Sequence, residues 1–129
     1  MAVFKPFKAV RPKDEYASQV GALPYDVMNS EEAREMVKDK PYSFLHVDKA
    51  EVDLPQGIDI YSAEVYEKAK ENLDALSEKG ICKQDEKPML YIYRQIMNGR
   101  EQTGIVGCTA VNDYINNVIK KHEFTRDDK

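Results

Sequence analysis

The chain has 129 residues and a mass of 14.8 kDa, with 42% hydrophobic and 33% charged residues, enough for one modest core and too apolar for a disordered tail. Nineteen basic against 23 acidic residues give a net charge of −4 and a pI near 5.2, which excludes generic attraction to a nucleic-acid backbone or an anionic membrane. The longest apolar runs are a few residues long, too short to span a bilayer, and the first residues lack the apolar stretch of an export signal.

In chain order, residues 2–11 mix apolar and basic side chains, with Pro6 and Pro12 as breakers, and read as one or two short extended segments, at 3–4 and 7–10. A short helix is predicted from Asp14, with Tyr16, Val20 and Leu23 on its inner face, stopping before Pro24. Asn29 followed by Glu32 resembles a capping box, with Ser30 as the competing cap, and opens a helix to about Lys38. Residues 43–47 form a short apolar run between breakers and are predicted as a buried strand, and 48–60 as an acidic loop.

The clearest helix starts at Ser62, with Val65, Tyr66, Ala69, Leu73 and Leu76 at helical spacing. Gly80 stands where a left-handed C-terminal residue belongs, and Glu64 with Lys68 is the predicted surface pair. Residues 89–97 and 100–111 read as strands joined by Asn98-Gly99, whose turn type needs positive φ at both positions. Val111, Tyr114, Ile115, Val118 and Ile119 mark a last amphipathic helix. The predicted fold class is α+β, an antiparallel β-hairpin with short N-terminal strands and three to four packing helices in a single domain over residues 1–129.

Few residues carry chemistry. His46 and Asp48 would share a face at a strand end, which suits a metal pair or an oriented imidazole; a core histidine satisfied by a backbone partner is the plainer reading. No cluster has zinc spacing, so a structural metal is not expected. His122, Glu123 and Thr125 put an imidazole, a carboxylate and a hydroxyl within four residues, the types used for acid–base work or phosphate contact; they equally suit the solvated end of a helix. Asp26, beside Tyr25 in a Pro-shaped loop, reads either as a base or magnesium ligand or as the acceptor of an Asx turn.

Residues 104–107 lack the Lys-Ser/Thr of a phosphate-binding loop, and their glycines suit a bulge or a close backbone approach. Cys108 reads as a small buried hydrophobe, and nothing near Cys82 depresses its pKa. Two cysteines give no disulfide framework, so a reduced, cytoplasmic protein is expected. Tyr91 and Tyr93 share a hairpin face but no basic stripe accompanies them, so packing is expected there rather than nucleic acid.

Four ordered motifs carry a resemblance across essentially the whole chain. They are Lys-Pro-Phe-Lys-Ala-Val-Arg-Pro at 5–12, Leu-Pro-Tyr-Asp-Val at 23–27, Pro-Tyr-Ser-Phe-Leu-His-Val at 41–47 and Lys-His-Glu-Phe-Thr at 121–125. They resemble the bacterial and archaeal domain-of-unknown-function family 1015, sometimes labelled ParB-like. Members look about three times longer, so the resemblance implies an N-terminal part of a longer protein. It is similar more loosely to the ParB and sulfiredoxin-like fold, which binds nucleotide phosphates and includes nucleotide-dependent kinases of free serine.

The resemblance therefore implies ATP or ADP with magnesium as cofactor and phosphoryl transfer to a small hydroxyl-bearing metabolite. Glu123 would be the general base, His122 and Thr125 the phosphate contacts, and Asp26 a holder of magnesium or substrate. The alternative is a non-catalytic ParB-like regulatory or DNA-associated module, against which the acidic balance of this chain counts. A scaffold completed by further chain, prone to self-association through exposed apolar surface, is the third expectation.

Overall fold

A computed structural model describes residues 1–121. The chain divides into two compact units: Val10–Gln84, and Met1–Ala9 with the chain from Asp85 onward. Strands β1 (Phe4–Lys5), β2 (Val10–Pro12), β3 (Cys82–Gln84), β4 (Tyr91–Met97), β5 (Arg100–Val106) and β6 (Cys108–Thr109) form three antiparallel pairs, β1–β6, β2–β3 and β4–β5. The helices are α1 (Ala17–Val20), α2 (Ser30–Val37), α3 (Leu45–Asp48), α4 (Ala63–Glu78) and α5 (Val111–Ile115), with 3₁₀ turns at Tyr25–Val27 and Ala50–Asp53. The α+β class is thus the class of the molecule. Among the described residues no helix is long and apolar enough to cross a membrane.

In the Val10–Gln84 unit, local chemistry sets the helix ends. The Asn29 side chain accepts from the Glu32 N–H at 2.9 Å while Glu32 Oε2 accepts from the Asn29 N–H at 2.9 Å, a complete reciprocal cap that starts α2. Helix α4 ends in a Schellman motif: the Ile81 N–H reaches the Leu76 carbonyl at 2.9 Å and the Gly80 N–H reaches Ser77 at 3.0 Å, with Gly80 at φ +67°. Leu76 and Ile81, the two residues that motif brings together, are both buried in one core cluster. Ser62 occupies the predicted cap position of α4 with extended backbone, but its hydroxyl makes no capping bond. Lys68 pairs with Glu71 at 3.1 Å rather than with Glu64.

Residues 43–47 are not the predicted strand. They form a turn running into α3, with Val47 and Asp48 N–H groups returning to the Phe44 carbonyl at 2.8 and 3.0 Å. The reason is a choice between two cores. Phe44 and Val47 pack with Val20, Leu76, Ile81 and Cys82, whereas Leu45, only 1% exposed, packs with Ala33, Val37 and Val52. A strand would group Phe44 with His46 and Leu45 with Val47; a helical turn puts positions three apart on one side. Within 48–60, the expected loop contains the Ala50–Asp53 turn, wound by the Val52 N–H onto the Lys49 carbonyl at 2.9 Å. Val20 is buried as predicted for α1, but Leu23 is exposed.

In the other unit the predicted hairpin is present in register from Tyr91↔Val106 to Met97↔Arg100, with Asn98 at φ +52° and Gly99 at φ +78° closing it. The second predicted strand is two: β5 stops at Val106, and β6 pairs with β1 after Gly107. A Cβ on Gly107 would lie 2.5 Å from the Phe4 ring and 2.9 Å from Leu90, so only glycine admits this approach. Tyr91 packs edge-on against Phe7, ring centroids 5.2 Å apart; its hydroxyl accepts from the Ala9 N–H at 3.0 Å and donates to Asp85 at 2.7 Å. The last helix ends at Ile115 rather than reaching Ile119, because Asn117 turns left-handed at φ +57° and the Val118 N–H folds back to the Asp113 carbonyl at 2.9 Å.

Candidate functional site

The site lies wholly within the Val10–Gln84 unit. Lys68, Asn72, Ala75, Leu76 and Lys79 recur at four-, seven-, eight- and eleven-residue offsets and so line one side of α4. Opposite them stand Tyr42 and Ser43 from the turn after α2, His46 from α3 and Asp53 from the end of the 3₁₀ turn. The cleft between has a volume of about 360 Å³, in the range of small-molecule sites.

His46 is the hub. Its Nδ1 lies 2.9 and 3.0 Å from the two oxygens of Asp53, and its Nε2 lies 3.2 Å from the Lys40 carbonyl. Both ring nitrogens face acceptors, so the imidazolium meets both while either neutral tautomer meets one. Asn72 uses its amide nitrogen twice, donating to the His46 carbonyl at 2.6 Å and to Asp53 Oδ2 at 2.8 Å. Three elements, α3, the 3₁₀ turn and α4, are thereby tied at one point. The geometry of His46 combines a backbone partner at Nε2, the plainer sequence reading, with a carboxylate at Nδ1. Its carboxylate partner is Asp53, not Asp48. Both ring nitrogens of His46 are thus turned to protein acceptors.

A second network, invisible in the sequence, holds Asp53 in place. The Arg34 guanidinium on α2 donates from Nη1 to the Val52 and Leu54 carbonyls, the latter at 2.8 Å, and from Nη2 to the Glu51 carbonyl at 2.6 Å. It therefore brackets Asp53 on both sides along the chain. Buried Glu51 accepts from Ser30 Oγ at 2.7 Å and pairs with Lys49 at 3.2 Å. Burial pushes the Glu51 carboxyl up, but hydrogen bonds from Ser30, its own backbone N–H and Lys49, with the Lys49 charge, outweigh burial and hold it below its ordinary value.

The cleft's cationic groups are the remaining feature. Lys68 is shared with Glu71, while Lys79 has no acidic partner among the described residues. The two lysines stand roughly 16 Å apart along the helix axis, one toward each end of the cleft. Lys79 is also the C-cap residue of α4, where a cation is favoured by the helix dipole.

Other predicted residues fall elsewhere. Asp26 sits in the 3₁₀ turn Tyr25–Val27 and does not line the cleft. His122, Glu123 and Thr125 lie outside the described residues. Among the described residues no group of three or more His, Cys, Asp or Glu side chains could hold a metal ion. Cys82 is buried, and burial raises its thiol pKa, which disfavours the thiolate a nucleophile needs. Cys108 is exposed, not the buried hydrophobe expected, as are both residues of the two-residue strand β6.

A family model described as Protein of unknown function (DUF1015) matches residues 4–129, and the chain belongs to that family. No curated protein and no solved structure matches it.

Proposed function

We propose that this chain binds a phosphate-bearing small molecule, a nucleotide, in the His46 cleft, and that the bound group serves phosphoryl transfer to a small hydroxyl-bearing metabolite. The observation that supports the reading is a cleft of about 360 Å³ with Lys68 and Lys79 on one side and a carboxylate, Asp53, that is already engaged by His46 and Asn72. With Asp53 so engaged and Lys68 shared with Glu71, Lys79 is the cation the cleft offers an anion. Magnesium finds no dedicated protein cage there and would travel with the phosphates, as that hard ion commonly does.

By the family resemblance alone, Glu123 would be the base that takes an acceptor's hydroxyl proton and His122 and Thr125 would contact phosphate; Asp26, its nominee for magnesium or acceptor, does not line the cleft. In such reactions the protein mainly positions and neutralises charge. The test is calorimetric titration of the chain with ADP and with ATP, each with magnesium. Saturable binding that weakens about tenfold in Lys79→Ala supports the cleft as the site, since a charged hydrogen bond is worth about 1.5–3 kcal/mol. Absence of heat with both nucleotides overturns the nucleotide reading. Turnover unchanged by Glu123→Gln removes that residue from the chemistry.

A further inference from the structure

The β4–β5 ribbon carries three large β-branched side chains on one face, each largely exposed. Alternation along each strand and the pairing Ile92↔Ile105, Arg94↔Thr103, Ile96↔Glu101 place these six residues on the same face. Ile92 is 78% exposed, Ile96 63% and Ile105 68%. Among the described residues the ribbon pairs with no third strand, and a two-stranded ribbon alone is marginal in water. Apolar side chains grouped in this way mark an interaction surface.

Charge selects the occupant. The face carries one cation and one anion, Arg94 and Glu101, as diagonal neighbours with Nη1 and Oε2 3.8 Å apart and both side chains more than half exposed. A face with zero net charge offers nothing to a polyanion or an anionic membrane, and equally little to a strongly acidic or basic peptide. It does match itself. We propose that a second copy of this chain covers this face, in a two-fold homodimer whose axis runs along the ribbon.

That axis lays β4 of one copy over β5 of the other. Ile92 then meets Ile105 of the second copy, and Arg94 lies over the row holding Thr103, beside Glu101 of the second copy. A two-fold axis across the strands would instead set Arg94 over Arg94, a like-charge contact. The dimer thus buries the isoleucines and exchanges a loose intrachain ion pair for two pairs between copies. This inference is independent of the nucleotide reading.

Sedimentation equilibrium of the wild-type chain over a wide concentration range tests it first, and needs no variant. The expected result is a monomer–dimer equilibrium. Arg94→Glu and Glu101→Arg each weaken the dimer by about tenfold or more, because each homodimer then opposes like charges. Mixed together, the two variants form a heterodimer tighter than either homodimer, since the carboxylates of that face then all belong to one chain and the guanidiniums to the other. Recovery on mixing also shows that both variants fold. A wild-type chain that stays monomeric up to its solubility limit overturns the proposal. So does a dimer indifferent to Ile92→Lys, or a mixture no tighter than its components.

Discussion

Asp53 and His46 are seven residues apart, and both carboxylate oxygens of Asp53 lie within 3.0 Å of His46 Nδ1. The pair exists because two helical segments, α3 and the 3₁₀ turn, follow one another and bring the end of the second back beside the first. Asn72 on α4 then bonds to both members, at His46 O and Asp53 Oδ2. One wall of the cleft is in this way fixed to the other.

Removing the carboxylate leaves two donors without an acceptor. Asp53→Ala is expected to destabilise the chain by about 0.5–1.5 kcal/mol in urea unfolding, the net worth of hydrogen bonds whose donors water can reach. It should also weaken nucleotide binding in calorimetry, because His46 and Asn72 lose their fixed orientation. Asp53→Asn, which keeps one acceptor oxygen, is expected to lose less on both counts.

Arg34 fixes the backbone on both sides of the same residue, Asp53. Its planar fork reaches three carbonyls, those of Glu51, Val52 and Leu54, and an ammonium on a lysine stem cannot span them. Arg34→Lys is expected to cost about 2 kcal/mol and Arg34→Ala about 3 kcal/mol in denaturant unfolding, as acceptors lose a charged donor. Hydrogen exchange should report the loss as faster exchange in the 50–54 turn than in α4.

These contacts mark where sequence reasoning reached and where it stopped. The Asn29 capping box, the Gly80 helix end and the Asn98-Gly99 turn are each decided by neighbours a few residues apart, so the residue types declare them. The turn at 43–47 is decided by two cores that draw Phe44 and Leu45 in different directions, and a short apolar run carries no trace of that. The cleft was half legible. His46 stood out by its rarity, but Asp53 and Asn72 reach it from two separate elements, and the Arg34 clamp behind Asp53 comes from a third. The helical spacing of Lys68, Asn72 and Lys79 was present in the sequence, hidden among the many charges of the outer face of α4.

Glu51 gives the molecule a defined acid response. Its folded pKa lies below its ordinary 4.5, so between those two values the unfolded chain binds more protons than the folded one. The stability it contributes is complete above pH 4.5 and is lost as pH falls through the folded value. Glu51→Gln is therefore expected to flatten the acid limb of a stability-versus-pH curve measured by thermal unfolding. Lys49→Met should do more harm at neutral pH, about 3 kcal/mol, because it strands a buried carboxylate beside Ser30.

Two glycine substitutions should separate conformational strain from simple loss of space. Gly80 sits at φ +67°, where an L side chain is strained, and its nearest neighbour to an added Cβ is the flexible Lys13 Nζ at 3.3 Å. The penalty of Gly80→Ala is thus mainly backbone, about 1–2 kcal/mol, and falls on the Schellman bonds that seat Ile81 against Leu76. Gly104, in β5, has no positive φ and nothing within 4 Å of an added Cβ. Gly104→Ala should be neutral or stabilising by up to about 1 kcal/mol, because alanine narrows the unfolded ensemble without strain in the strand. Thermal unfolding of the two variants side by side checks the contrast, and equal losses in both would show that the left-handed turn at Gly80 is not what holds the end of α4.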